Sequence, residues 1–214
     1  MNIQHLRRDY SAESLDIDEV EKHPIAQFRA WFAEALSAEL PEPNAMILAT
    51  INANHSPAAR VVLLKGFDEN GFTFYTNYNS RKGQELEQHP EAALVFNWLE
   101  LQRQVRIEGA VERLSAEEST AYFQSRPKGS QIGAWASPQS EVIPDRSILQ
   151  ENVDALRDKY ADHDMLPRPD HWGGYLVRPR MVEFWQGRPS RLHDRIRYQW
   201  SSSHQAWHID RLAP

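Results

Sequence analysis

Residues 45–76 read AMILATINANHSPAARVVLLKGFDENGFTFYT. Three β-branched or aromatic runs, 45–51, 59–67 and 71–76, alternate with the turn-rich pieces Asn52-Ala53-Asn54-His55-Ser56-Pro57 and Asp68-Glu69-Asn70-Gly71. Connections this short join antiparallel neighbours, because a parallel pair needs a crossover of a dozen or more residues. Downstream, 92–100, 103–114, 173–186, 194–200 and 206–210 repeat the strand signal, the last two joined by a hairpin at 201–205.

Helices are signalled between these runs. Pro24 opens one whose stripe is Ile25, Phe28, Phe32, Leu36 and Leu40, ended by Pro41 and Pro43. Ser80 is placed to cap a short helix over 81–89. Ser115-Ala116-Glu117-Glu118 is a capping box, giving a helix to about residue 125, with a short helical piece on to Ala136. Asp145 caps another, striped by Leu149, Val153, Leu156 and Tyr160. About eight strands and four helices in mostly meandering order predict a mainly β, α+β chain, an antiparallel barrel with helices outside it. A doubly wound parallel sheet would carry a Gly-rich phosphate turn, and no GxGxxG is present.

The chain has 214 residues, 41% of them hydrophobic, enough for a proper core, and a formal charge of -6 that argues against a general nucleic-acid binder. With no cysteine there is no disulfide, thiolate metal site or thiol nucleophile. The first residues lack a signal peptide's apolar core and no run approaches a membrane span, so a soluble cytoplasmic protein is expected. Residues 1–22 read as a mobile N-terminal arm ahead of a single domain, 23–214.

Cations cluster locally. Gly187-Arg188-Pro189-Ser190-Arg191-Leu192-His193-Asp194-Arg195-Ile196-Arg197, if extended after Pro189, points Arg191, His193, Arg195 and Arg197 the same way. They serve an anion, or they pair with nearby Asp and Glu on an edge strand. Arg60 and Lys65 bracket one strand and face opposite sides unless it ends or bulges near Gly66. Arg81 and Lys82 after the Ser80 cap oppose the helix dipole, which a bound phosphate would reverse; otherwise they are solvated. Tyr122 and Arg126 are four apart, a surface stack or, with Ser130, a second phosphate pocket. Nothing local singles out Gln104, Gln139 or Ser140. The nine histidines form no HExxH and no metal-ligand triad, and there is no GxSxG, so any chemistry must come from a cofactor.

Together, Arg60-Val61-Val62-Leu63-Leu64-Lys65, Asn79-Ser80-Arg81-Lys82, Gln102-Arg103-Gln104-Val105-Arg106 and the stretch from Phe184 to Arg195 resemble the pyridoxine (pyridoxamine) 5′-phosphate oxidase family, over essentially the whole chain. The resemblance implies an FMN-binding split barrel, a homodimer with flavin at the subunit interface. It implies oxidation of pyridoxine or pyridoxamine 5′-phosphate to pyridoxal 5′-phosphate, with O2 as acceptor and H2O2 as product. By the same resemblance FMN is held by Arg60, Val61, Val62, Leu63, Leu64, Lys65, Tyr75, Thr76, Arg81, Lys82, Gln104, Gln139, Ser140, Trp185 and Arg195. The substrate phosphate meets Lys65, Tyr122, Arg126 and Ser130, with Arg191, Leu192 and His193 at the pyridine ring. Arg191 and His193 are the catalytic candidates, and Arg7 and Tyr10 close over the substrate. Asp9 stands where the family often has Glu. The competing readings are a phenazine-biosynthesis-type flavin oxidase and a non-catalytic split-barrel protein that binds flavin or pyridoxal phosphate.

Overall fold

A computed structural model describes His5, Tyr10 and residues 14–214. Nine strands and five α-helices occur among them: α1 Pro24–Ser37, β1 Ala45–Ile51, β2 Pro57–Leu63, β3 Gly66–Asp68, β4 Gly71–Asn77, α2 Arg81–Gln88, β5 Glu91–Trp98, β6 Arg103–Arg113, α3 Ala116–Ser125, α4 Lys128–Ala136, α5 Ser147–Lys159, β7 Trp172–Gln186, β8 Asp194–Ser201 and β9 Ala206–Arg211. All pairings are antiparallel, in the order β2-β1-β5-β6-β7-β4-β3, with β8 on β7 and β9 on β8.

The 15-residue β7 is where the barrel splits. Its first half, from Trp172 to Val177, pairs with β4, and its second half, from Met181 to Gln186, pairs with β8. A register shift at Glu108/Gly109 of β6 lets one strand follow both directions. Gly109 permits it, because a Cβ there would lie 2.0 Å from the Arg178 carbonyl oxygen.

The 59–67 run is not one strand. β2 pairs with β1 and β3 with β4, so the chain crosses between opposite ends of the sheet through Leu64 and Lys65. The corner is fixed by Leu64 N–H donating to Asn44 O and Lys65 N–H to Thr73 O, both at 2.8 Å. The core fills the curled sheet beneath α1. Phe28 sits 4.9 Å, centroid to centroid, from Phe67 and from Phe72, and 5.0 Å from Phe96. The buried stripe of α1 is Ile25, Phe28, Trp31 and Ala35, rotated from the expected one, and Leu36 is 54% exposed. A smaller cluster, Phe123, Ile132, Tyr160, Leu166 and Trp172, packs α3, α4 and α5 onto the sheet.

One expectation changes here. The segment after Pro189 is not extended: it forms a 3₁₀ turn over Pro189–Arg191 with φ of 56° at Ser190 and 63° at Arg191, and β8 starts only at Asp194. Arg191 and His193 therefore do not share a strand face with Arg195 and Arg197. In addition, the end of the expected arm is tied down. Leu15 is buried and donates its N–H to Asp194 Oδ2 at 3.2 Å, Arg211 donates to Leu15 O at 3.1 Å, and Tyr198 donates to Glu21 O at 2.6 Å.

Candidate functional site

A cleft of about 640 Å³ opens where β2, the Lys65 corner, β4, α2 and α3 meet. Arg60, Val61, Val62, Leu63, Lys65, Tyr75, Thr76, Arg81, Lys82, Tyr122, Arg126, Gln139 and Ser140 all line it, together with Trp172. Because β2 ends at Leu63, the corner lets Arg60 and Lys65 reach one cavity despite their opposite strand parity. Leu64 is the exception in that segment: it is buried in the core. Ser130 lines an adjoining cavity of about 270 Å³ with Arg126, Gln139 and Trp172.

Helix α2 is aimed at the cleft. Ser80 Oγ accepts from Gly83 N–H at 3.4 Å and donates to Asn77 O at 2.6 Å. Gly83 lets the helix start pack on the preceding turn, since a Cβ there would lie 2.1 Å from Tyr78 O. Lys82 is buried, with Nζ donating to Thr76 Oγ1 at 3.1 Å and Ser80 Oγ at 3.2 Å. Burial first, and the nearby Arg60 second, bring its pKa down to about 8, while Glu85 pulls it up. Glu85, one turn further on, accepts from Arg60 Nη2 at 2.9 Å, Arg81 Nε at 2.8 Å and Thr50 Oγ1 at 2.5 Å. Burial works to raise its pKa, but these hydrogen bonds outweigh it and hold the carboxyl below the usual range.

An aromatic wall closes the other side. Tyr75 stacks on Tyr122 at 3.8 Å and lies 5.5 Å from Trp172, with planes 19° and 13° apart. The Arg126 guanidinium carbon lies 4.6 Å from the Trp172 ring centre. Its Nη1 is buried with no hydrogen-bond partner among the described residues, and burial lowers its pKa. Burial also raises the pKa of Tyr75 and of Tyr122, so both hydroxyls stay neutral donors.

The remaining predicted residues gather elsewhere. Gln104 is opposite Trp185 across β6–β7, and Trp185 is opposite Arg195 across β7–β8. His193 lies 4.5 Å from Trp185, and Tyr10 stands edge-on to both rings at 5.6 and 5.8 Å. Arg188 N–H donates to His193 Nδ1 at 3.1 Å, so a neutral ring carries its proton on Nε2. Burial and then Arg191 lower the His193 pKa. Arg191 and Leu192 are exposed, and Arg7 lies outside the described residues. Arg195 is gripped by Glu183 at 2.8 and 3.1 Å, and Arg197 by Asp210 at 2.7 Å, so these two cations have acidic partners. The two clusters sit at opposite ends of β7, marked by Trp172 and Trp185, roughly 40 Å apart along the strand at about 3.3 Å per residue.

Trp172, Glu85 and Glu183 were not among the predicted residues. A signal for Trp172 existed in the glycines that follow it. A Cβ on Gly173 would lie 2.0 Å from the Tyr78 hydroxyl, and one on Gly174 would lie 2.8 Å from Tyr75 Cε1. A buried glutamate is invisible in a chain with 30 acidic residues.

Residues 32–160 match the family model described as pyridoxamine 5′-phosphate oxidase, and residues 172–214 match the pyridoxine 5′-phosphate oxidase C-terminal dimerisation region. Proteins named pyridoxine/pyridoxamine 5′-phosphate oxidase from Salinibacter ruber and Acaryochloris marina are 61% and 60% identical. The alignments cover 98% and 100% of this chain and 97% and 96% of theirs. PhzG from Burkholderia lata, solved with tetrahydrophenazine-1-carboxylic acid, superposes with a TM-score of 0.88 at 31% identity, covering 95% of this chain and 100% of that one. A pyridoxamine 5′-phosphate oxidase-related, FMN binding protein from Nostoc punctiforme shares the fold at a TM-score of 0.68 and 21% identity, over 87% of this chain and 97% of that one. No helix among the described residues is long and apolar enough to cross a membrane. With model matches along most of its length and relatives this similar end to end, the chain belongs to the pyridoxamine 5′-phosphate oxidase family, a family of oxidoreductases.

Proposed function

We propose that this protein is an FMN-dependent oxidase that converts pyridoxamine or pyridoxine 5′-phosphate to pyridoxal 5′-phosphate, with O2 as acceptor and H2O2 as product. The observation that carries the reading is Arg126, whose buried Nη1 lacks a partner among the described residues while its guanidinium lies over the Trp172 ring beside Tyr122. An unsatisfied buried donor of this kind costs stability until an acceptor arrives, and a phosphate ester on a planar ring supplies both the acceptor and a stacking face. Lys65 and Ser130 flank the same position.

The donor set also fits a flavin mononucleotide. Arg60, Arg81, Lys82 and the α2 N-terminus offer charge and N–H donors to a terminal phosphate. FMN, when bound, supplies the hydride acceptor that O2 later reoxidises.

The other residues position and desolvate. Trp185 and His193 offer a ring wall, Gln104 and Arg195 offer donors from the strands on either side of Trp185, and Glu183 fixes the Arg195 fork. Arg191 and His193 orient the pyridine ring and ease proton loss from its 4′ substituent. His193 suits the proton role because its lowered pKa keeps it a base at neutral pH. These groups are too far along β7 to meet the cleft of their own chain, so each site takes its cleft from one protomer and its β7–β8 end from the partner. The expected arm, residues 1–22, brings Tyr10 beside His193 at this composite site, with residues 23–214 as one domain. The cytoplasm suits such a chain.

The PhzG likeness favours a second reading, oxidation of a reduced phenazine carboxylic acid. That ligand has a carboxylate and no phosphate, so it leaves the Arg126 pocket without its phosphate, whereas the α2 cations serve a flavin phosphate under either reading. Purified protein reconstituted with FMN and given pyridoxamine 5′-phosphate tests the proposal. Aldehyde and peroxide should form in equal amounts, with at least a hundred-fold lower kcat/KM for unphosphorylated pyridoxamine. Absence of a visible flavin spectrum after reconstitution would overturn it.

A further inference from the structure

Glu85 lies outside every residue assigned above to cofactor or substrate, and its side chain is 4% exposed. Its carboxylate gathers donors from three elements: Thr50 of β1, Arg60 of β2, and Arg81 of its own helix. Lys82, the other charged group beside it, contributes a further attraction without a direct hydrogen bond. Taking a carboxylate out of water costs several kcal/mol, and it is tolerated here because two guanidiniums pair with it. The arrangement also works in reverse. Without an anion in the cleft, Arg60, Arg81 and Lys82 form a cluster of like charges, and one buried carboxylate holds them together.

The geometry of the two arginines says what this does. Arg81 spends Nε on Glu85, which leaves its terminal amino groups for the cleft it lines. Arg60 is anchored by Nη2 on Glu85 and by Nη1 on Thr50 and the Leu48 carbonyl, a fixed charge on the cleft wall. We infer that Glu85 is a positioning residue that preorganises Arg60 and Arg81 as a paired phosphate clamp before the cofactor arrives. A simpler effect runs the other way, since a carboxylate near an incoming dianion repels it. Preorganisation prevails because Glu85 holds Arg81 by Nε alone, leaving both of its terminal amino groups available, and locks Arg60 through Nη2 while Thr50 and the Leu48 carbonyl hold Nη1, so rotation is restricted in both and Arg60 acts mainly as a fixed charge. Glu85 also helps keep Lys82 charged, so its removal shifts the pH range over which the clamp functions. The inference rests on the FMN reading for the identity of the ligand, but not for the phosphate chemistry.

The test uses full-length flavin-free protein and two probes, inorganic phosphate and FMN, with riboflavin as the phosphate-free control, measured by calorimetry and flavin fluorescence. Glu85→Gln is expected to weaken phosphate and FMN roughly ten-fold, with riboflavin affinity unchanged. The upper pH limit of phosphate binding, set in the parent near the Lys82 pKa of about 8, should move down. Unchanged or tighter phosphate binding at an unchanged melting temperature overturns the inference. So does a lower melting temperature with unchanged affinity, which marks Glu85 as a tie between α2 and β1–β2 only. If the parent binds phosphate but not FMN, the proposed function falls while the Glu85 comparison still decides the clamp. If the parent binds neither, both fall. Glu85→Asp, which keeps the charge and shortens the reach to Arg81, covers the case in which Glu85→Gln does not fold: a partial loss of phosphate affinity supports the inference, and parental affinity overturns it.

Discussion

The Arg126 guanidinium lies over the Trp172 ring, its carbon 4.6 Å from the indole ring centre, although one residue caps the end of α3 and the other begins β7. The stack orients a planar fork whose Nη1 has no partner within the described residues. Trp172 is itself held by Arg168, which donates to its carbonyl oxygen and to Thr120 Oγ1 at 3.0 Å. The pocket floor is therefore assembled by residues that never touch a ligand. Arg126→Met should raise KM for pyridoxamine 5′-phosphate about ten- to a hundred-fold, the loss of one charge-assisted contact of roughly 1.5–3 kcal/mol. FMN content should not change. Arg126→Lys should rescue only in part, because an ammonium keeps the charge and loses the stack. Steady-state kinetics against flavin content per chain distinguishes these outcomes.

Lys82 predicts a pH signature. Its folded pKa of about 8 lies below its ordinary value of 10.5, so between these two pH values the unfolded chain binds the extra proton. Stability of the flavin-free protein should thus rise as pH climbs from 8 to 10.5, against the general decline expected at alkaline pH. Saturating phosphate, which favours the charged ammonium, should remove that rise, and Lys82→Met should abolish it. Denaturant titrations at several pH values measure the slope.

Arg191 has a backbone φ of 63° and an exposed side chain, a conformation with a cost for any residue but glycine. Arg191→Met should cut turnover by about a hundred-fold or more while FMN stays bound at parental affinity. Arg191→Gly relieves the backbone and should still be slow. Recovery of turnover in the glycine variant would assign the residue a role in the turn alone.

The ion pairs that Arg211 makes with Asp16 and Asp194 are partly exposed, so their contribution to global stability should be about 1 kcal/mol or less. Their local effect is larger, because they fix the end of the segment that carries Tyr10 beside His193. Arg211→Ala should leave the melting temperature within a few degrees while speeding proteolysis ahead of Leu15 several-fold. Limited digestion followed by mass spectrometry reads this directly.

Much of this was legible in the chain itself. The strand runs, the Ser80 cap and the Ser115 capping box are local signals, and local signals survive folding. The Lys65 corner was foreshadowed by the parity conflict between Arg60 and Lys65. What failed were inferences needing backbone detail or distant partners. The alternation drawn through Arg191 and His193 assumed extended chain where Ser190 and Arg191 turn left-handed. Leu36 fits the helical stripe, yet the sheet beneath α1 curls away from it and takes Trp31 and Ala35 instead. Glu183 gains its role from arginines on neighbouring strands, and Glu85 from Thr50 and Arg60 as well as from Arg81 four residues earlier on its own helix, so spacing encodes only the last of these contacts.

The length of β7 carries a genetic corollary. If each site borrows one end of that strand from the partner, a chain damaged at Arg126 and a chain damaged at His193 complement each other. In a mixed pair both lesions fall into the same site, and the other site is built wholly of intact parts. Co-expressing Arg126→Met and His193→Ala chains should then restore about a quarter of parental activity at substrate below the parental KM, where each variant alone is nearly inactive, given random pairing of subunits. Activity no greater than the average of the two parents would mean that each chain works alone.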